Sequence, residues 1–255
     1  MIDYHLHVIA HGDRPMTVEN ILSYLEVAKS RGLRQMGITE HDRYLDEIDF
    51  VAFQEAREKY QDVALRLGIE IDFVPGAEER MDRDSSALPY DYVIGSVHRV
   101  DNEEVDHPQY QEIYEKWETY DLYEAYYKNV RAAALSGRFE VLGHPDLIKI
   151  FRHFPDRDIA PMLEETADAV AESGVVVDVN AAGLRKPIGE VYPSQDLLEM
   201  FHRRGVPIIL SSDAHAPDQV AMGYEKSVKL VYDVGYREVV TFKDRERGTL
   251  PLLPE

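Results

Sequence analysis

The sequence predicts an α/β barrel, a parallel sheet whose strands alternate with helices. Three observations predict it. Short, apolar, β-branched runs alternate with amphipathic segments of helical period, and strands joined by helices pair in parallel. The length, 255 residues, is that of one such barrel, so a single domain over 1–255 is expected. Histidines and acids recur where expected strands end, and a barrel gathers those ends on one face, where active sites sit.

The elements follow in order. Ile2 to His7 reads as a first strand. Side chains alternate faces along a strand, so His5 and His7 point the same way and can chelate one divalent ion; the same pair could equally be satisfied histidines at a strand end. Residues 17–32 read as a helix: Thr17 caps it, Ile21, Leu22, Leu25 and Ala28 form its apolar face, and Gly32 suits its end. A strand over 35–39 runs into Glu40-His41-Asp42. A helix over 48–67 and a strand over 69–74 follow, the strand ending before Pro75-Gly76-Ala77-Glu78-Glu79. Residues 90–98 form the next strand, ending at His98. The polar, acidic and aromatic stretch 99–120, with the lone Trp117, reads as an insertion or lid, followed by a helix to about 136. A strand over 139–142 leads to Gly143-His144-Pro145-Asp146. Then come a helix over 159–173 and a strand over 175–179 leading to Asn180. A further helix opens at Pro193 and Ser194, buries Leu197, Leu198 and Phe201, and closes near Gly205. The strand 206–210 ends in Ser211-Ser212-Asp213-Ala214-His215, and 236–242 reads as one more strand.

Composition narrows the chemistry. Hydrophobic residues make up 44% of the chain, enough for a sizeable core, and there is no cysteine. Disulfides, thiolate metal sites and cysteine nucleophiles are therefore excluded, and any metal must be held by His, Asp and Glu. No apolar run is long enough to span a membrane, and no signal sequence is legible at the start, so a cytoplasmic protein is expected. The net charge of −20, from 48 acidic and 28 basic residues, argues against a nucleic-acid partner, which would require a basic surface. A small anionic substrate remains compatible if cations supply local positive charge.

Taken singly, these motifs are weak. A lone Glu78 would be a surface carboxylate, and Gly-His-Pro-Asp a turn. His107, His153 and His202 fall outside strand ends and read as ordinary. Jointly they are stronger, because six of the ten histidines, with Glu78 and Asp213, fall at expected strand ends. His5-x-His7, Thr39-Glu40-His41, Gly76-Ala77-Glu78, Ser96-Val97-His98, Gly143-His144-Pro145-Asp146 and Ser212-Asp213-Ala214-His215 resemble the motifs of the PHP (polymerase and histidinol phosphatase) superfamily, over residues 1 to about 225. The stretches 143–149 and 180–187 resemble its histidinol-phosphatase branch.

The resemblance implies a distorted (β/α)7 TIM-like barrel with a metal site at the C-terminal strand ends, holding two to three divalent ions of zinc, manganese or iron. Carried over residue by residue, it implies a first ion on His5, His7, Glu78 and Asp213. A second would lie on His98 and His144, with Glu78 as the bridge. A third would lie on His41 and His215 with a ligand from the loop after His7. Family spacing favours Asp13 for that ligand, with His11 next. Glu78, Asp213 and His215 would form the catalytic centre. Arg185, Lys186 and Asn180 are candidates for substrate binding, although the two cations could equally belong to a basic turn and Asn180 could cap a strand end. The implied activity is phosphomonoester hydrolysis, with L-histidinol phosphate the leading substrate. Another small phosphate or nucleotide is the nearest alternative. An amidohydrolase also begins with His-x-His but usually needs a bridging Lys at the fourth strand end, where this chain has His98. A non-catalytic metal-binding module is the third class.

Overall fold

The computed structural model describes residues 1–109 and 111–252. Its framework is a ring of parallel strands. In chain order the strands are β1 (Ile2–Asp3), β2 (Gln35–Ile38), β3 (Ala64–Asp72), β4 (Tyr92–Ser96), β5 (Arg99–Val100), β6 (Glu103–Glu104), β7 (Val141–Leu142), β8 (Val176–Asn180), β9 (Ile208–Ser211), β10 (Glu238–Lys243) and β11 (Glu246–Pro251). The helices are α1 (Val18–Ser30), α2 (Phe50–Lys59), α3 (Glu78–Ser85), α4 (Ile113–Lys116), α5 (Thr119–Leu135), α6 (Ala160–Ser173), α7 (Gln195–Arg203) and α8 (Tyr224–Val234). The sheet order is β1-β2-β3-β4-β7-β8-β9, with every neighbouring pair parallel. Beyond β1 the chain closes the ring against β9: Tyr4 N donates to Leu210 O at 3.2 Å and His7 N to Ala214 O at 2.8 Å. This is the seven-stranded barrel that the sequence implies.

Parallel strands covered on both faces read as continuous apolar runs. β8, Val176-Val177-Asp178-Val179-Asn180, is buried throughout. Its two polar residues share one face, and Asp178 uses it to reach His5 inside the barrel. Thr17 caps α1 by accepting from Asn20 N, and Ser194 caps α7 by accepting from Leu197 N.

The opposite end of the barrel is filled by aromatic rings. Tyr4 and Tyr92 stack at 5.1 Å and Tyr92 and Phe242 at 5.4 Å. Phe242 belongs to the antiparallel β10–β11 hairpin, which is tied to the barrel where Arg66 donates to Phe242 O at 2.8 Å. The tail strand expected at 236–242 is thus half of a hairpin that closes the barrel's end. Tyr92 fits because the neighbouring strands carry glycine: a Cβ on Gly37 would lie 1.8 Å from the Tyr92 hydroxyl oxygen, and one on Gly68 3.0 Å from its ring.

One expected boundary is wrong. The helix expected over 48–67 ends at Lys59, and β3 begins at Ala64 rather than near 69. Ala-Leu-Arg-Leu is a good helix sequence by local propensity. Pairing decides otherwise: Ala64 to Leu67 lie in register against Gln35 to Ile38, with Leu65 and Leu67 buried on alternate positions. The strand therefore ends at Asp72 with Glu70 inside it. Helices α3 and α8 lie where no element was expected. Segment 99–120 contains the β5–β6 hairpin, α4 and the start of α5. No described helix is long and apolar enough to cross a membrane.

The Gly37–Tyr92 contact makes a stability prediction. Gly37→Ala should destabilise the protein by about 1–3 kcal/mol, as overpacking does. In a Tyr92→Phe background, which removes the clashing oxygen, the same change should cost measurably less. Denaturant unfolding of the four proteins checks this; equal costs in both backgrounds would contradict it.

Candidate metal centre

Glu70 is the centre of the site. It is 1% exposed, and imidazoles face both of its carboxylate oxygens. Oε2 lies 3.2 Å from His5 Nε2, 3.5 Å from His7 Nε2 and 2.8 Å from His41 Nδ1. Oε1 lies 3.5 Å from His98 Nε2 and 3.2 Å from His144 Nε2, and accepts from Ser96 Oγ at 2.6 Å. Asp213 Oδ1 stands beside the first group, 3.4 Å from His7 Nε2 and 3.5 Å from His215 Nδ1. Each of these residues comes from a strand end or the loop after it, which is why a chain-wide set converges.

Most of these close atoms are not hydrogen-bonded to each other. His5 Nε2, both ring nitrogens of His7 and of His41, His215 Nε2 and Glu70 Oε2 are buried without a hydrogen-bond partner. Buried polar atoms are almost always satisfied, so a cluster of orphans whose donor atoms converge marks a place for cations. Three overlapping groups have their donor atoms within 4.8 Å of one another: His7, His41 and His215; His5, Glu70 and His144; His5, His7 and Asp213. Nitrogen and carboxylate donors in this arrangement suit zinc and other divalent transition ions. The residues present therefore fit a metal centre.

Charge supports the same conclusion. Burial pushes the Glu70 carboxyl up, yet His5, His41 and His98 hold it well below its ordinary range. Asp213 behaves alike: burial raises it, and His5, His7 and His215 bring it far down. Burial, then the neighbouring His41 and His215, lowers His7 well below the usual imidazole value. Ionised acids beside a neutral imidazole are the state a metal requires. Burial opposes protonating His5 and His98, yet Glu70 with Asp213 raises the first and Asp72 with Glu70 raises the second to about 10. The acids thus demand positive charge, supplied by protons or by cations.

Two expected ligands are not at this centre. Glu78 is exposed at the start of α3, where it accepts from Gly76 N at 3.2 Å. The early start of β3 explains the error, because the carboxylate that the barrel carries inward is Glu70 of Gly68-Ile69-Glu70. An acid inside an otherwise apolar run was the signal for it. Asp13 is exposed and belongs to none of the donor groups. Ala10, His11 and Gly12 have positive φ, and this left-handed turn brings His11, not Asp13, to the cluster, 4.3 Å from the His215 ring and 5.6 Å from that of His41. His11 Nδ1 accepts from Arg43 at 3.1 Å, so ligation through that atom would require Arg43 to withdraw.

Two of the three substrate-binding candidates hold the site rather than line it. Asn180 is fully buried and donates to Asp178 Oδ2 at 3.1 Å and Asp213 Oδ2 at 3.3 Å. Arg185 donates to Ser212 O at 2.8 Å and Asp213 O at 3.1 Å, fixing the turn that presents Asp213. Lys186 does line the open cavity. Glu40 accepts from Val8 N at 2.6 Å and Ile9 N at 3.0 Å and so anchors the loop after His7.

The PHP domain family matches residues 3–182. The chain belongs to the PHP family. A Deinococcus radiodurans relative named "Probable histidinol-phosphatase" is 34% identical over 96% of this chain and 98% of its own length. Histidinol-phosphatase of Bacillus subtilis is 24% identical, covering 88% and 96%. A Lactococcus lactis histidinol phosphate phosphatase, solved with zinc, L-histidinol and phosphate, superposes with a TM-score of 0.77 at 21% identity, over 97% of this chain and 98% of that one.

In this PHP barrel the centre opens into a cavity of about 640 Å³. His11, His41, His98, His144, Asp213 and His215 form its floor, Lys186 and Arg43 add positive charge, and Glu104 and Asp106 stand on its wall.

Two pairs of substitutions test the assignment. Elemental analysis should find metal lost from Glu70→Gln, with the fold retained by circular dichroism, and metal unchanged in Glu78→Gln. The reverse order would restore Glu78 as the bridge. His11→Ala should lower metal content by up to one ion per chain while Asp13→Ala leaves it intact; loss only on Asp13→Ala would contradict the loop assignment.

Proposed function

We propose that this protein is a metal-dependent phosphomonoesterase that hydrolyses L-histidinol phosphate to L-histidinol and phosphate. We further propose two to three divalent ions per chain, of zinc, manganese or iron, with Glu70 as the shared carboxylate. The observation that carries the reading is the paired setting of Glu70, whose two oxygens face separate histidine groups at the floor of a substrate-sized cavity. Such ions supply a hydroxide nucleophile near neutral pH and countercharge for phosphoryl oxygens.

The chain's own residues do the rest. Lys186 and Arg43 on the cavity wall attract the phosphate dianion, Arg43 with a planar fork suited to two of its oxygens. Arg185 and Asn180 keep Asp213 aimed at the floor. Glu104 and Asp106, on the same wall, offer carboxylates to the amine and imidazole of histidinol. Tyr44 also lines the cavity and offers a ring face to a cation. The names of the relatives support this substrate, and so does a cavity lined by Lys186 and Arg43 as well as by Glu104 and Asp106. The small phosphorylated compound is the one partner assigned.

The test is kcat/KM for histidinol phosphate beside glycerol phosphate and a nucleoside monophosphate. Two polar contacts of about 1.4 kcal/mol each multiply to roughly a hundredfold. A preference of that order for histidinol phosphate is expected. Equal values across the panel, or a preference for the nucleotide, would overturn the substrate assignment.

A further inference from the structure

Two histidines that face Glu70 are held from behind by carboxylates outside the expected ligand set. Asp72 Oδ1 lies 2.5 Å from His98 Nδ1, and Asp178 Oδ2 lies 2.9 Å from His5 Nδ1. In both rings the other nitrogen faces Glu70: His98 Nε2 at 3.5 Å from Oε1 and His5 Nε2 at 3.2 Å from Oε2. An ionised carboxylate only accepts, so each Nδ1 must donate to it. In the neutral ring the lone pair then lies on Nε2, toward the centre.

Asp72 is itself held in place. Its backbone N–H donates to Asp42 Oδ2 at 3.2 Å, and its carbonyl accepts from Arg80 Nη2 at 2.9 Å. Arg80 also pairs with Asp42, which closes the loop of contacts between β3, α3 and the turn after His41. Asp72 ends β3 two residues after Glu70, and alternation puts both side chains on one face. A single strand thus carries the central carboxylate and the acid that orients one of the imidazoles around it.

We propose that Asp72 is a positioning residue of the metal centre: it selects the His98 tautomer whose Nε2 can bind an ion and fixes the ring toward Glu70 and His144. The proposal rests on the metal-centre reading above. Asp178 holds His5 by the same geometry and belongs to the other side of Glu70. Loss of such an outer partner typically weakens metal binding tenfold to a hundredfold.

The test uses the full-length protein, Asp72→Ala and Asp72→Asn, with zinc as the probe. Zinc affinity is measured by competition with a chromophoric chelator, and the His98 tautomer in the zinc-loaded protein by 15N NMR. Asp72→Ala should bind the zinc on the His98 and His144 side about tenfold to a hundredfold less tightly, with the thermal midpoint of the metal-free protein little changed. Zinc on the His7, His41 and His215 side should stay. Asp72→Asn keeps an acceptor for Nδ1–H without the charge, so it should fall between Asp72→Ala and wild type. The wild-type spectrum should show His98 Nδ1 protonated. Unchanged zinc affinity in Asp72→Ala, equal loss of all ions in step with unfolding, or an unprotonated His98 Nδ1 would overturn the role of Asp72. A wild-type protein that binds no zinc, manganese or iron would instead overturn the metal-centre reading on which it rests.

Discussion

A carboxylate buried among imidazoles is the constraint on which this structure depends. Glu70 is almost wholly inaccessible, and an isolated buried charge would be prohibitively costly. It is tolerated because five histidines from four strand ends face it. A barrel can deliver that many side chains to one point from distant parts of a chain. The arrangement brings imidazole lone pairs and carboxylate oxygens, acceptors alike, together without partners, and divalent cations would satisfy both at once. Around the centre lie groups that hold it in shape: Asp72 and Asp178 behind two imidazoles, Asn180 and Arg185 behind Asp213, and Glu40 behind the loop after His7.

The two ends of the barrel divide the work. At one end, Tyr4, Tyr92 and Phe242 stack beneath strands thinned by Gly37 and Gly68, and the C-terminal hairpin seals them. That end acts as a plug of stacked rings that fixes strand spacing. At the other end, the strands release His5, His7, His41, His98 and His144 into polar loops. A net charge of −20 is compatible with an anionic substrate because the local field is set by the floor of the cavity, not by the whole surface.

The fold was largely legible in the sequence, because alternation of strand and helix and chain length both bear on barrel architecture. Six histidines were found for the same reason: imidazoles at strand ends in a cysteine-free chain are conspicuous. Glu70 was not, because Ala64 to Leu67 reads as helix by propensity and becomes strand only through pairing with β2. With that boundary misplaced, the strand-end pattern points one motif too far, to Glu78, which is solvated at the start of α3. Spacing points to Asp13, whereas the left-handed turn at Ala10 to Gly12 presents His11, and counting residues does not predict such a turn. Asp72 and Asp178 also interrupt apolar strands, but their role shows only once the histidine each one holds is known.

The claim that Glu70 lies between two cations is most directly tested by anomalous diffraction from crystals grown with zinc or manganese. Two peaks are predicted, on the His7 and His98 sides of the Glu70 carboxylate, each about 2.0–2.2 Å from one of its oxygens for zinc. A single peak away from Glu70, or density coordinated by Glu78, would contradict the account.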